Sequence, residues 1–468
     1  MIAHFLIKKT NLIFMAMLLQ LLIIAVYFVI GVNTNMSYAN KFLIGVLFGF
    51  LLLILMGKPY YLLLFLALIL PFGSIKVPGT FFTAIDFIIF GITISLILNS
   101  FLMKESLFRN FTETTLIILL GLTVLVSLIH AISRGWGSVW ALEQSLHFLV
   151  FILFFIVASS ILESEEQLFK LALVIIFSFT IYTLMVLKGY FTGGMTFIGG
   201  LRGIKMGKGY AHANLIAYLL NPVISLALGI FLVSKNKWLK TFLMTVLGAM
   251  FFAIVLTLSR GGWIAIGCII IYYFIKTKNI KKNLPIFILI LIVLLYKNLY
   301  LIIKFRFGTT FTLAFSALVG RIHLWKSAIR IIADNFLVGV GVGNYQIIKY
   351  EYGFPWLFDP LKSRSTHNLF LEIFANLGII GFVLFFLLCF MIFFKLNRKV
   401  KSVGNKDDYL NGIMLGIAGG LIGYIIHGIV DCPIANQSAL TILGLLLAMG
   451  VSAARIAQNH DKTFYNNC

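Results

Sequence analysis

Apolar runs long enough to cross a bilayer recur along nearly the whole chain, and they decide its fold class before any motif is considered. A helix rises about 1.5 Å per residue and the hydrocarbon core is about 30 Å thick, so about 17–22 apolar residues span it. Runs of this kind fall near 11–30, 83–103, 114–132, 145–162, 171–187, 214–233, 241–258, 262–275, 285–303, 368–394, 409–430 and 437–455. A shorter pair, near 41–56 and 60–72, is broken by Gly57-Lys58-Pro59 and reads as two tilted spans or a hairpin. The sequence therefore predicts an all-α polytopic membrane protein with about twelve to fourteen transmembrane helices. Only 11% of the 468 residues are charged, against about 25% in a soluble domain, so one helical bundle accounts for the chain.

The net charge of +22 would suggest nucleic acid in a soluble protein. In a membrane protein the cytoplasmic loops are themselves expected to be basic. With the N-terminus inside, short cytoplasmic loops hold Lys104 and Arg109, then Lys235, Lys237 and Lys240, then Lys276, Lys278, Lys281 and Lys282, then Lys395, Arg398, Lys399, Lys401 and Lys406. The short outer loops 31–40 and 431–436 carry almost none. Both termini are then expected in the cytoplasm, and the segment 304–367 outside. Lys8-Lys9 precede the first run without a small-residue cleavage site, which reads as a first transmembrane helix and not a removed signal peptide. Cys268, Cys389, Cys432 and Cys468 have neither metal nor disulfide spacing.

Two outer segments break the charge pattern. One is 188–213, with Lys188, Arg202, Lys205 and Lys208; the other is 304–367, with Arg321, Lys326, Arg330, Lys349, Lys362 and Arg364. Together they gather cations on one face, where an anionic lipid-linked substrate would be presented. They also fit basic loops of no special function, since long loops escape the topology rule.

Within these segments a few residues could do chemistry. Arg260 interrupts an apolar stretch at Ser259-Arg260-Gly261-Gly262, at an expected depth just below the outer membrane surface. There an ionisable group costs roughly 2.5–3.5 kcal/mol, so it reads as a phosphate ligand or as a helix-end arginine snorkelling to the headgroups. Arg321 follows Gly320 at the expected start of an amphipathic helix over 321–334, with Ile322, Trp325, Ile329 and Ile332 at helical spacing and His323, Lys326 and Arg330 on other faces. Such a helix could lie on the membrane interface, and its N-terminus would add to the guanidinium charge. Gly339, Gly341 and Gly343 follow no strand of a βαβ unit, so they read as a tight turn that ends this helix and not as a dinucleotide loop. His367, next to Asn368, stands where the outer loop enters a long apolar helix. His427 and Asp431 are spaced to pair, or to cap, at the outer end of theirs. No outer carboxylate cluster suited to a divalent metal is apparent; Glu351 and Asp359 are far apart.

The order of these motifs over about 200–435 carries a resemblance. Arg202 with Asn214 comes first, then Ser259-Arg260-Gly261, Gly320-Arg321 with Trp325, and Gly339-Val340-Gly341-Val342-Gly343-Asn344. His367-Asn368 follows, then nine residues, then Gly378-Ile379-Ile380-Gly381. This resembles the O-antigen ligase-like superfamily, whose hallmark is His-Asn, nine residues, Gly, two residues, Gly. The first 190 residues resemble it in hydropathy alone.

The resemblance implies a GT-C-like membrane glycosyltransferase with no cofactor and no metal. It would take a glycan from undecaprenyl pyrophosphate on the outer face of the bacterial inner membrane and pass it to an acceptor hydroxyl. That acceptor would be lipid A–core or another glycan. Carried over, Arg260 and Arg321 bind pyrophosphate and His367 activates the acceptor, with Arg202 a looser match to the family pattern. Arg364, Asn368 and Lys326, on the same outer segment or at its end, are expected as further substrate contacts. The expected organisation is N-terminal helices over 1–190, a catalytic region over 191–435 that includes the loop 304–367, and a last helix and cytoplasmic tail over 436–468. A polymerase of lipid-linked repeat units would use the same kind of site, as would a relative that glycosylates pilin. A non-enzymatic flippase would instead want charges lining a path through the bundle.

Overall fold

The structure is a computed structural model that describes residues 57–73, 77, 80–103, 112–193, 195–198, 201–206, 209–276, 311–353, 365–400, 408–432, 434 and 436–466. The spans expected near 11–30, 41–56 and 285–303 lie outside the described residues. So do Arg364, Asp359 and Lys362.

The helices follow the apolar runs. They are α1 (Pro59–Ile69, continued by a 3-10 turn over Leu70–Phe72), α2 (Ala84–Met103), α3 (Thr112–Ser133), α4 (Val139–Ile161), α5 (Glu165–Gly193), α6 (Ala213–Val233), α7 (Lys237–Leu256) and α8 (Arg260–Lys276). Then come α9 (Phe311–Asp334), the single turn α10 (Tyr345–Ile348), α11 (Leu369–Lys399), α12 (Tyr409–Gly428) and α13 (Gln437–Asn466). Nine of the described helices (α2 to α7 and α11 to α13) are long and apolar enough to cross a membrane. The fold is thus an all-α, multi-pass membrane bundle.

Between α5 and α6 the chain forms a small antiparallel sheet, β1 (Met195–Ile198), β2 (Leu201–Met206) and β3 (Gly209–His212), in the order β1-β2-β3. Ile198 faces Leu201 across the first pair. The described part of the basic segment expected over 188–213 is therefore a helix end followed by these three strands.

α12 lies at the centre. It packs most extensively on α6 and also against α8, α11 and α13. Small residues permit the approach: Ser225 Oγ on α6 donates to the Gly416 carbonyl at 2.8 Å. The bundle core is aliphatic and aromatic, with Phe148, Phe151, Phe154 and Phe155 of α4 buried. At the end of the bundle away from the sheet, Lys395 Nζ of α11 meets Glu113 Oε1 of α3 at 2.6 Å. A second, smaller core lies under α9, formed by Leu324, Ala328, Ile331, Val340, Tyr345, Ile348 and Ala375.

Two features depart from the sequence reading, and both shape the site. First, α9 begins ten residues before Arg321, at Phe311, so Arg321 sits mid-helix and receives nothing from a helix N-terminus. Gly320 looks like a helix start, yet the preceding residues Thr312-Leu313-Ala314 continue the helix. Second, the long apolar helix is broken. At Gly378 the backbone takes φ 65 and ψ −171, and α11 kinks. The 336–341 segment fills the break: Ile379 N–H donates to the Phe336 carbonyl at 2.8 Å, Val340 N–H to Ala375 at 3.0 Å and Gly341 N–H to Asn376 at 2.9 Å. Ser127 Oγ of α3 also donates to the Asn376 carbonyl, at 2.6 Å. The glycine turn after α9 and the first hallmark glycine of α11 therefore form one strand-like junction.

Candidate active site

The turn Ser365-Thr366-His367-Asn368 enters α11 in a fixed shape. His367 has φ 52, a left-handed conformation uncommon outside glycine, asparagine, aspartate and histidine. Its neighbours hold it there. Thr366 N–H donates to Glu372 Oε2 at 2.7 Å, and Asn376 Nδ2 donates to Glu372 Oε1 at 3.1 Å, so this buried carboxyl is satisfied from both sides. Asn368 is the N-cap of α11: its side-chain oxygen accepts from Phe370 N–H at 2.9 Å and Leu371 N–H at 3.0 Å. Its amide also donates to the Ile429 carbonyl at 3.0 Å, tying this turn to the end of α12. From α9, Trp325 Nε1 donates to the Thr366 carbonyl at 3.1 Å. Asn368 thus acts here as a cap and a brace.

His367 Nδ1 lies 2.9 Å from Asp431 Oδ1, just past the end of α12. Asp431 Oδ1 also accepts from Cys432 N–H at 2.9 Å. Burial alone would raise the Asp431 carboxyl. The His367 hydrogen bond and charge outweigh it, helped by His427 and His212, and hold this carboxyl well below the usual carboxylate range. An ionised Asp431 assigns the His367 proton to Nδ1 and leaves Nε2 as the lone-pair nitrogen.

Arg321, half-buried on α9, is an electrostatic neighbour of both Asp431 and Arg260. Burial lowers its guanidinium from the ordinary arginine range, Arg260 pushes the same way, and Asp431 opposes. Arg260 is exposed at the first position of α8. Neither arginine makes a hydrogen bond or ion pair with another described residue. Two cations are thus set near each other, one of them partly desolvated, beside a histidine–carboxylate pair.

Arg260 owes its place to its neighbours. The Ser259 hydroxyl accepts from Gly262 N–H at 3.3 Å, capping α8. It also lies 3.5 Å from His427 Nε2, while Asn221 Nδ2 lies 3.3 Å from His427 Nδ1 and Tyr218 stacks on the ring at 4.6 Å. An amide donor at Nδ1 puts the His427 proton on Nε2, where it can reach Ser259. Gly261 allows this approach: a Cβ there would fall 2.6 Å from His427 Cδ2 and 2.5 Å from Val430 Cγ2. Of the two readings of His427 and Asp431, a pair or a cap at the helix end, the side-chain pair is not formed. Asp431 instead turns its carboxylate to His367, and only its backbone N–H returns to the His427 carbonyl, at 3.1 Å.

Of the residues singled out from the sequence, Arg260, Arg321, His367 and Asn368 come together. Lys326 is exposed on α9. Arg202 lies on β2 opposite Phe197, and its side chain is not among those described. The sequence reading missed Asp431, Glu372 and Asn221 as partners, and it missed His212, which ends β3 within electrostatic reach of Asp431. Among the described residues no group of three or more His, Cys, Asp or Glu side chains could hold a metal ion.

Residues 245–386 match the family model described as O-antigen ligase. This stretch runs from within α7 to within α11 and carries Arg260, Arg321, His367 and both hallmark glycines, Gly378 and Gly381. It is therefore O-antigen ligase-like, in a multi-pass membrane chain. Asp431 lies beyond it. No curated protein matches the chain.

Proposed function

We propose that the protein is a glycosyltransferase of the ligase type. It would move a glycan from undecaprenyl pyrophosphate to a hydroxyl of lipid A–core or another glycan acceptor, at the outer face of the inner membrane. The observation that carries this reading is the His367–Asp431 contact of 2.9 Å beside two arginines that lack a described partner. A base and an anion site adjoin.

The chemistry follows from that adjacency. The acceptor oxygen attacks the anomeric carbon, and the bond from that carbon to the pyrophosphate oxygen breaks. Its electron pair leaves with the pyrophosphate, where Arg260 and Arg321 offset the growing charge. His367 Nε2 takes the acceptor proton, and Asp431 stabilises the imidazolium that results. A single displacement of this kind inverts the anomeric centre. Divalent metal has no part in it.

Depth supports the donor class. α12 has 20 residues and α8 has 17, lengths of about 30 Å and about 25 Å. Asp431 stands three residues past the end of one and Arg260 is the first residue of the other. If the basic short loops at the opposite ends are cytoplasmic, this end of the bundle meets the headgroups of the outer leaflet, where a lipid-linked pyrophosphate presents its charge.

The test is reconstitution in nanodiscs with a polyprenyl-pyrophosphate-linked glycan and a lipid A–core acceptor, in excess EDTA, with products read by mass spectrometry. Glycan appearing on the lipid acceptor supports the ligase. Glycan extended on the polyprenyl carrier instead would make the protein a polymerase of the same family. Activity that vanishes with EDTA and returns with magnesium would overturn the metal-free mechanism.

A further inference from the structure

Away from the arginines, the bundle holds a buried carboxylate that the proposed chemistry does not use. Asp86, in the first turn of α2, is fully buried. Its Oδ2 accepts from Thr83 N–H at 2.7 Å and from the Thr83 hydroxyl at 2.8 Å. His147 Nε2 of α4 lies 3.3 Å from the same oxygen and 3.0 Å from the Phe81 carbonyl, which places a proton on that nitrogen. A helix cap accounts for Oδ2 alone. Oδ1 has another use: it accepts from Gln437 Nε2, at the first position of α13, at 2.5 Å.

Gln437 stands six residues after Asp431. The segment between them joins α12 to α13 and is pinned at both ends, at one by Asp431 on His367 and at the other by Gln437 on Asp86. Cys432, within it, is buried. Burying a carboxylate among membrane helices is costly, even with donors supplied from α4, α13 and the turn before α2. A bundle held together by apolar packing does not need one. A connection that must keep a carboxylate in contact with a catalytic imidazole does, because a misplacement of about 1 Å can cost about a hundredfold in rate.

We propose that Asp86 is a positioning residue for the His367–Asp431 pair, acting from α2 through Gln437 on the 431–436 segment. Helices outside the family match thus contribute to the site. The effect on turnover rests on the proposed glycosyl transfer; the effect on the segment does not.

The test uses Asp86→Asn, with Gln437→Ala as a second variant should the first fail to fold, in the full chain in nanodiscs. The native cysteines report the segment: N-ethylmaleimide labelling of Cys432 and Cys389 is followed by peptide mass spectrometry. Cys389, buried in α11, is the control for global loosening. The expected result is labelling of Cys432 about tenfold faster with Cys389 unchanged. Single turnover should fall about tenfold at unchanged donor affinity, and the Asp86 substitution should add no further loss to Asp431→Asn. Unchanged Cys432 labelling, or Cys432 and Cys389 accelerating together, would overturn the proposal, as would turnover losses that multiply independently in the double variant. Faster Cys432 labelling in a protein that transfers no glycan would keep the positioning role and reject the proposed function.

Discussion

Gly378 and Leu337 meet backbone to backbone: a Cβ on Gly378 would fall 2.2 Å from the Leu337 carbonyl oxygen. The contact joins the turn after α9 to the break in α11, and so sets where Arg321 and His367 stand relative to each other. The φ and ψ of Gly378 lie in a region essentially reserved for glycine.

Gly378→Ala should therefore cost at least about 1–3 kcal/mol in backbone strain, before the clash is counted. Thermal melting in detergent should show a clear loss of stability together with loss of activity. Gly320→Ala is the control, since nothing lies within 4 Å of a Cβ there and alanine favours a helix interior. If both variants melt with the wild type, the junction does not organise the loop.

Much of this architecture is legible in the sequence, and the rest is hidden for physical reasons. The apolar runs of α6 and α7 are bounded by polar residues, so their ends agree with the sequence reading to within about four residues. The break at Gly378 stays hidden because Leu377, Ile379 and Ile380 keep the apolar pattern across it; the signal is that a glycine-rich turn must pack somewhere. Arg260 and His367 stand out as polar interruptions of apolar runs. Asp431 does not, because it meets His367 across 64 residues of sequence, while the histidine nearest to it in sequence is His427. Local spacing favours the wrong pairing, and only the packing of α11 against α12 decides otherwise.

Asp431 makes stability depend on acid. Its carboxyl is lowered by His367 despite burial. A carboxyl lowered in the folded state adds stability above its unfolded value, near about 3.9, and loses it as pH falls through the folded value. The wild type should thus melt higher than Asp431→Asn at pH 7, and the gap should narrow below about pH 4. A gap that stays constant down to about pH 3 would show that the ionised pair adds nothing.

Trp325 connects α9 to the histidine turn by one hydrogen bond of 3.1 Å. Trp325→Phe keeps most of the apolar contact and leaves the Thr366 carbonyl without that donor. The stability cost should be about 1 kcal/mol. Turnover should fall further than this suggests, because the helix that carries Arg321 is no longer fixed to the His367 turn. Equal activity of this variant and the wild type would separate the two elements functionally.

Arg321→Lys and Arg260→Lys keep the charge and lose the planar fork. If each arginine holds pyrophosphate oxygens, either change should lower donor affinity and slow transfer by about a hundredfold, the scale of losing one oriented donor in a water-poor site. Isothermal titration with the polyprenyl-pyrophosphate donor reads the first and quenched flow the second. Wild-type values for Arg260→Lys would reduce that residue to an interfacial anchor.

The central claim is that His367, held by Asp431, takes the acceptor's proton while the arginines hold the donor. Single-turnover transfer by His367→Ala, measured beside its donor affinity in nanodiscs with thermal melting as the check on folding, tests this most directly. The account predicts donor affinity close to wild type and transfer reduced by about a hundredfold or more. Transfer at the wild-type rate would contradict it and leave the histidine a structural group at the start of a helix.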